Sequence, residues 1–95
     1  MKSASVSTGL GEEPELELLQ VYPNPVAEKV HISMKGIENY QMITIYDLAG
    51  NSYPIESIEK RSHLLEIDMA ELSSGAYFIR IVMEDDSRVV TVIKQ

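Results

Sequence analysis

The sequence predicts an all-β fold, an immunoglobulin-like antiparallel β-sandwich of about seven strands. Three observations lead there. Short apolar runs recur at roughly 8–12-residue spacing, each bounded by Gly, Pro, Asn, Asp or Ser. Within the runs apolar and polar residues alternate with period two, and no convincing helical period extends over about ten residues. The runs are also rich in Val, Ile and Tyr, whose branched or aromatic side chains suit a pleated, half-buried surface.

Residues 1–14 are rich in Ser, Gly, Thr and Ala and end in Glu12-Glu13-Pro14. That composition buries nothing and reads as a flexible linker, leaving residues 15–95 for the sandwich. Leu16, Leu18 and Val21 suit a first strand, ended by Tyr22-Pro23-Asn24-Pro25. The two prolines remove two backbone donors and bias Tyr22 and Asn24 away from helix, which makes a rigid corner. Residues 29–35 alternate Val30, Ile32 and Met34 with His31, Ser33 and Lys35, a half-buried strand. Residues 36–40 turn the chain. Residues 42–48 carry apolar groups on both faces and are expected at the centre of a sheet.

Asp47-Leu48-Ala49-Gly50-Asn51 closes that strand with turn chemistry, Gly50 being free to take positive φ. Residues 52–58 continue in extended form, and Pro54 assigns them to an edge or a bulge. Glu59-Lys60-Arg61-Ser62 reads as a charged loop, residues 64–68 as a strand and residues 69–74 as a short turn. The chain then makes its most regular unit, an antiparallel hairpin. Its first strand sets Tyr77, Ile79, Ile81 and Met83 against Phe78, Arg80 and Val82. Glu84-Asp85-Asp86-Ser87 is the turn, and Val89, Val90, Thr91, Val92 and Ile93 form the second strand. Its edge, and the carboxylate after Lys94-Gln95, are expected to be open to an outside partner.

Ninety-five residues support one small domain. A net charge of −7 argues against nucleic acid, which rewards clustered Lys and Arg, and against electrostatic docking on anionic lipid. There are no cysteines, hence no disulfide frame and no thiolate metal site. No apolar run approaches the roughly 20 residues of a membrane span. MKSASVSTGLGEE has no apolar core, so it does not read as a secretory signal peptide.

Candidates for chemistry are few. His31 and His63, the two histidines, fall at outward positions of strand patterns and read as solvated surface residues. A Ser-His-Asp set can be composed on paper, but spacing alone is no evidence for a triad. Glu84-Asp85-Asp86 reads as a soluble turn rather than a Ca²⁺ site, since EF-hand spacing is missing. Glu12, Glu13, Glu15 and Glu17 read as a hydrated spacer. The tyrosines and Phe78 are more simply packing than a sugar-stacking platform, with no Trp present. No catalytic residue, cofactor site or metal site is expected, and the domain reads as a non-enzyme.

Three motifs nevertheless stand in order: Tyr22-Pro23-Asn24-Pro25, then Ile45-Tyr46-Asp47-Leu48-Ala49-Gly50, then Leu72-Ser73-Ser74-Gly75-Ala76-Tyr77-Phe78-Ile79-Arg80-Ile81, with Lys94 near the end. The set resembles the type A C-terminal sorting domain of the type IX, or Por, secretion system of Bacteroidota, over residues 18–95. The resemblance implies an immunoglobulin-like address carried behind a covalently linked N-terminal cargo. It implies passage through the periplasm, recognition by the outer-membrane translocon, and removal by a sortase-like protease with attachment of the cargo at the cell surface or its release outside. Without a cargo domain or signal peptide, these residues would be a piece of a longer protein, with Met1 artificial or the cargo removed.

On that reading Val92, Ile93, Lys94 and Gln95 are the expected translocon contacts, by strand addition or by capture of the terminal carboxylate. Pro23, Asn24, Pro25, Asp47, Gly50, Gly75, Tyr77 and Arg80 are expected as motif scaffold, and Ser7, Thr8, Gly9 and Gly11 mark an accessible cleavage region. The alternatives are an immunoglobulin-like adhesion or carbohydrate-binding module of a surface protein, and a domain that stabilises a catalytic neighbour. The mixed faces of residues 42–48 and 89–93 also leave room for a homodimer.

Overall fold

Alternation dictates where each strand turns its apolar side, and in the computed structural model those sides meet between two sheets. The structure describes residues 18–55 and 57–95. Eight strands follow one another: β1 (Gln20–Tyr22), β2 (Lys29–Ser33), β3 (Met42–Asp47), β4 (Ser52–Tyr53), β5 (Ile58–Arg61), β6 (Leu64–Asp68), β7 (Gly75–Val82) and β8 (Ser87–Lys94). One antiparallel sheet has the order β1-β2-β6-β5 and the other β4-β3-β7-β8. This is the immunoglobulin arrangement, ABED against C′CFG.

The inner faces supply the core. Val30 and Ile32 of β2 and Leu65 and Ile67 of β6 pack against Ile45, Tyr77, Ile79, Ile81, Val90 and Val92 of the other sheet. Loop residues finish it: Val26, Ile37 and Met69 are buried. Ile37 opens a single 3₁₀ turn, Ile37–Asn39, inside the stretch read as a turn. His63 and Glu38 tie that turn to the β5–β6 hairpin: Gly36 N–H donates to His63 Nδ1 at 3.0 Å, and His63 N–H donates to Glu38 Oε1 at 2.9 Å. The second bond is the main reason the Glu38 carboxyl lies below the ordinary glutamate range.

Several expectations change. The first strand is Gln20–Tyr22; Leu18 is largely exposed and Leu16 lies outside the described residues. The charged stretch at 59–61 is not a loop but most of β5, an edge strand exposed on its charged residues. Charge at an edge blunts pairing with other chains, so a strand there need not look apolar. Residues 52–58 are not one strand. The chain leaves the second sheet after Tyr53 and enters the first at Ile58, with Pro54 in the crossing. His63 is not in a strand; it takes φ 64° in the β5–β6 turn. Nor is His31 simply solvated: it is half-buried, its Nε2 lies 3.1 Å from Glu66 Oε2, and it stacks on Tyr22. Its Nδ1 is buried with no partner among the described residues.

Candidate functional site

The three ordered motifs reach the same end of the second sheet, where β3 finishes, β7 begins and β8 finishes, the first motif at the β8 edge and the second at the β4 edge. In β7, Gly75 begins the strand at φ 149°, a conformation that side chains other than hydrogen rarely adopt. Two residues on, Tyr77 buries its ring edge-to-face against Tyr53, with centroids 5.6 Å apart. Its hydroxyl donates to Ser73 O at 2.7 Å. A tyrosine near the start of this strand bonding the backbone a few residues upstream is the tyrosine corner of immunoglobulin domains.

Asp47 anchors the second motif. Its Oδ1 accepts the N–H groups of Ala49 and Asn51, both at 3.0 Å. Its Oδ2 accepts Asn51 Nδ2 at 3.2 Å and the Tyr53 hydroxyl at 2.6 Å. One carboxylate therefore shapes the β3–β4 turn and docks the strand that follows. Gly50, at φ 90°, donates its N–H to Asp47 O at 3.0 Å. The Tyr53 hydroxyl is the chief reason the Asp47 carboxyl lies below the ordinary aspartate range, and the same bond raises the Tyr53 phenol.

The first motif does more than turn the chain. Both prolyl bonds of Tyr22-Pro23-Asn24-Pro25 are cis, and the segment carries the chain from the edge of the first sheet to that of the second. There Asn24 Oδ1 accepts Ile93 N–H at 2.9 Å and Asn24 Nδ2 donates to Thr91 O at 3.2 Å. Val26 continues the seam: its N–H donates to Ile93 O and its carbonyl accepts Gln95 N–H, both at 2.8 Å, in a parallel bridge. Pro23 and Pro25 have no N–H to give, so the Asn24 amide supplies the donor and the acceptor that a strand backbone would. The edge of β8 expected to be open is closed over Thr91, Ile93 and Gln95.

Of the four expected contact residues, Val92 and Lys94 therefore point inward and are buried. Lys94 Nζ donates to Gln95 O at 3.1 Å. Ile93 and Gln95 are exposed. Arg80, grouped with the scaffold by sequence, lies exposed on the outer face of β7. Ser7, Thr8, Gly9 and Gly11 lie outside the described residues. The clamp by Asn24 joins residues 69 positions apart, and no local pattern reveals it. An Asn held between two prolines was the available signal.

This arrangement brings motif residues together around backbone, not around a reactive atom. Among the described residues no group of three or more His, Asp or Glu is placed to hold a metal ion, and no helix is long and apolar enough to cross a membrane. A profile described as a secretion system C-terminal sorting domain matches residues 20–95. The chain belongs to that family. No curated protein and no solved structure matches it significantly. A sorting domain is a non-catalytic module that marks a protein for export to the cell surface or beyond through the type IX machinery.

Proposed function

We propose that this sorting domain is read as a folded unit by the outer-membrane translocon of the type IX system, with the end of β8 as the feature read. The cargo, linked before the domain, would reach it through the periplasm. A sortase-like protease would then cut within the segment holding Ser7, Thr8, Gly9 and Gly11, attaching the cargo to the cell surface or releasing it.

The observation that carries this reading is the Asn24–Val26 seam, because it holds the last residues of β8 in a single geometry. A receptor serving many cargoes gains from a preformed target, since less ordering is needed on binding. In that geometry Ile93 and Gln95 offer the contacts, while Val92 and Lys94 orient them from the buried side. Pairing of a receptor strand at Ile93 would require Val26 to leave, so side-chain recognition is favoured over strand addition there.

The test is fusion of the whole chain behind a periplasmic reporter in a host with the secretion machinery, followed by fractionation. The reporter should reach the surface or the medium without the domain. The replacement Ile93→Asp should leave it in the periplasm while the purified domain melts at an unchanged temperature. Export of that variant at the normal level would overturn the role of β8. Deletion of Lys94 and Gln95 is a poorer test, because it also removes a buried side chain and a seam bond.

A further inference from the structure

The outer face of the second sheet carries Met42, Phe78, Val82, Val89 and Ile93 with the uncharged polar residues Thr44, Ser52, Ser87 and Thr91, and one charge. Arg80 is the only charged strand residue on it, and none of its strand residues is acidic. Cross-strand register places Thr44 and Val89 directly beside Arg80, and Phe78 and Val82 follow it along the same face of β7. The Arg80 side chain has no ion pair or hydrogen bond among the described residues. Two apolar side chains next to it stand open to solvent: Met42 is 59% exposed and Val89 54%.

We propose that this face docks a partner protein that presents a carboxylate within an apolar surface, with Arg80 as its counter-charge. The fork of a guanidinium suits bidentate pairing with a carboxylate, and such pairs gain strength when apolar neighbours exclude water. Met, aromatic residues and Arg are also the side chains enriched in interface cores. The charge pattern selects among occupants. In a symmetric dimer the face would meet itself, and it holds no acid to answer Arg80. A single Arg on a chain of net charge −7 does not hold an anionic membrane either. The inference rests on the sorting reading above and names the partner as a component of the export machinery.

The same fusion tests it. Arg80→Glu and Val89→Glu should each cut export by roughly tenfold or more, as expected for central interface residues. Arg80→Lys, which keeps charge but loses the fork, should fall between. Ser33→Glu, on the outer face of the other sheet, should export normally. Both Glu variants should melt like the unaltered domain, since neither side chain is buried. If either melts lower, a photo-crosslinking residue at position 89 decides instead: in exporting cells it should join to an outer-membrane component of the machinery, and position 33 should not. Normal export of both Glu variants overturns the proposal, as does a crosslink only to a second copy or to lipid. An unaltered domain that leaves its reporter in the periplasm overturns the sorting reading and this inference together; export of the unaltered domain and both variants overturns this one alone.

Discussion

The two sheets share a core and differ on their outer faces. On the first, a row runs Tyr22, His31, Glu66, Glu59 across four strands, and Lys29 stands opposite Asp68. Polar groups on it pair locally: His31 Nε2 lies 3.1 Å from Glu66 Oε2, and Arg61 lies 3.4 Å from Glu59. The other outer face has a lone Arg80 between Thr44 and Val89 and no answering charge. A sheet face rich in paired polar groups suits water, whereas exposed apolar side chains beside an unanswered charge suit a partner. On the proposed reading the two halves of one sandwich differ in use: one outer face pairs its own polar groups, and the other is left for a partner.

That comparison breaks first if the sheets do not share one core. Ile32 of β2 and Ile79 of β7 are both fully buried, one from each sheet. Ile32→Ala and Ile79→Ala should each destabilise the domain by about 2–5 kcal/mol, through lost transfer energy and the cavity left. In a domain with roughly 5–15 kcal/mol of stability, either brings it near unfolding. Urea denaturation should show one transition for every variant, displaced to lower urea. Two separate transitions, or a loss confined to one variant, would mean that the sheets are held independently.

Asn24 sharpens the comparison at the seam between them. Asn24→Ala removes a donor and an acceptor from the edge of β8 and leaves Thr91 O and Ile93 N–H to solvent. Each of the two bonds contributes about 0.5–1.5 kcal/mol net, so the expected loss is on the order of 1–3 kcal/mol by denaturation. The uncovered edge is also a template for pairing, and sedimentation should show more self-association than in the unaltered domain. An Asn24→Ala domain as stable and as monomeric as the original would reduce the corner to a plain turn.

How much of this could be read from the sequence follows the same division. Alternation located β2 and β7, because a strand with one buried face repeats every two residues, while β3 showed as a run apolar on both faces and β8 as a run of β-branched residues. It failed at β5, where an edge strand carrying Glu59, Lys60 and Arg61 has no apolar pattern to find. The outer face of the second sheet was half legible: mixed apolar strands at 42–48 and 89–93 were evident, but their meeting around Arg80 depends on register across three strands. Of the seam, only the corner that makes it was legible, as an Asn between two prolines; its bonds join residues almost 70 positions apart, and no sequence spacing encodes which strand it closes.

The smallest effect concerns the turn that fastens β4 to the second sheet, and its sign can be worked out from one hydrogen bond. The Tyr53 hydroxyl lowers the Asp47 carboxyl and is itself raised by it. A carboxyl with a lowered folded pKa adds stability that is full above its unfolded pKa and is lost as pH falls through the folded value. A phenol with a raised folded pKa adds stability that is full below its unfolded value and is lost as pH rises through the folded one. The bond therefore narrows stability from both ends, acid through Asp47 and alkali through Tyr53. Tyr53→Phe removes the chief cause of the Asp47 shift and the phenol together. Between pH about 5 and about 2 its melting temperature should fall less steeply than that of the unaltered domain, and the alkaline fall above about pH 10 should also flatten. Glu38 and Asp86, also held low by hydrogen bonds, keep their share of the acid slope in both proteins. The difference between the two curves therefore isolates the one bond, and parallel acid limbs would show that Asp47 does not need Tyr53 to stay ionised.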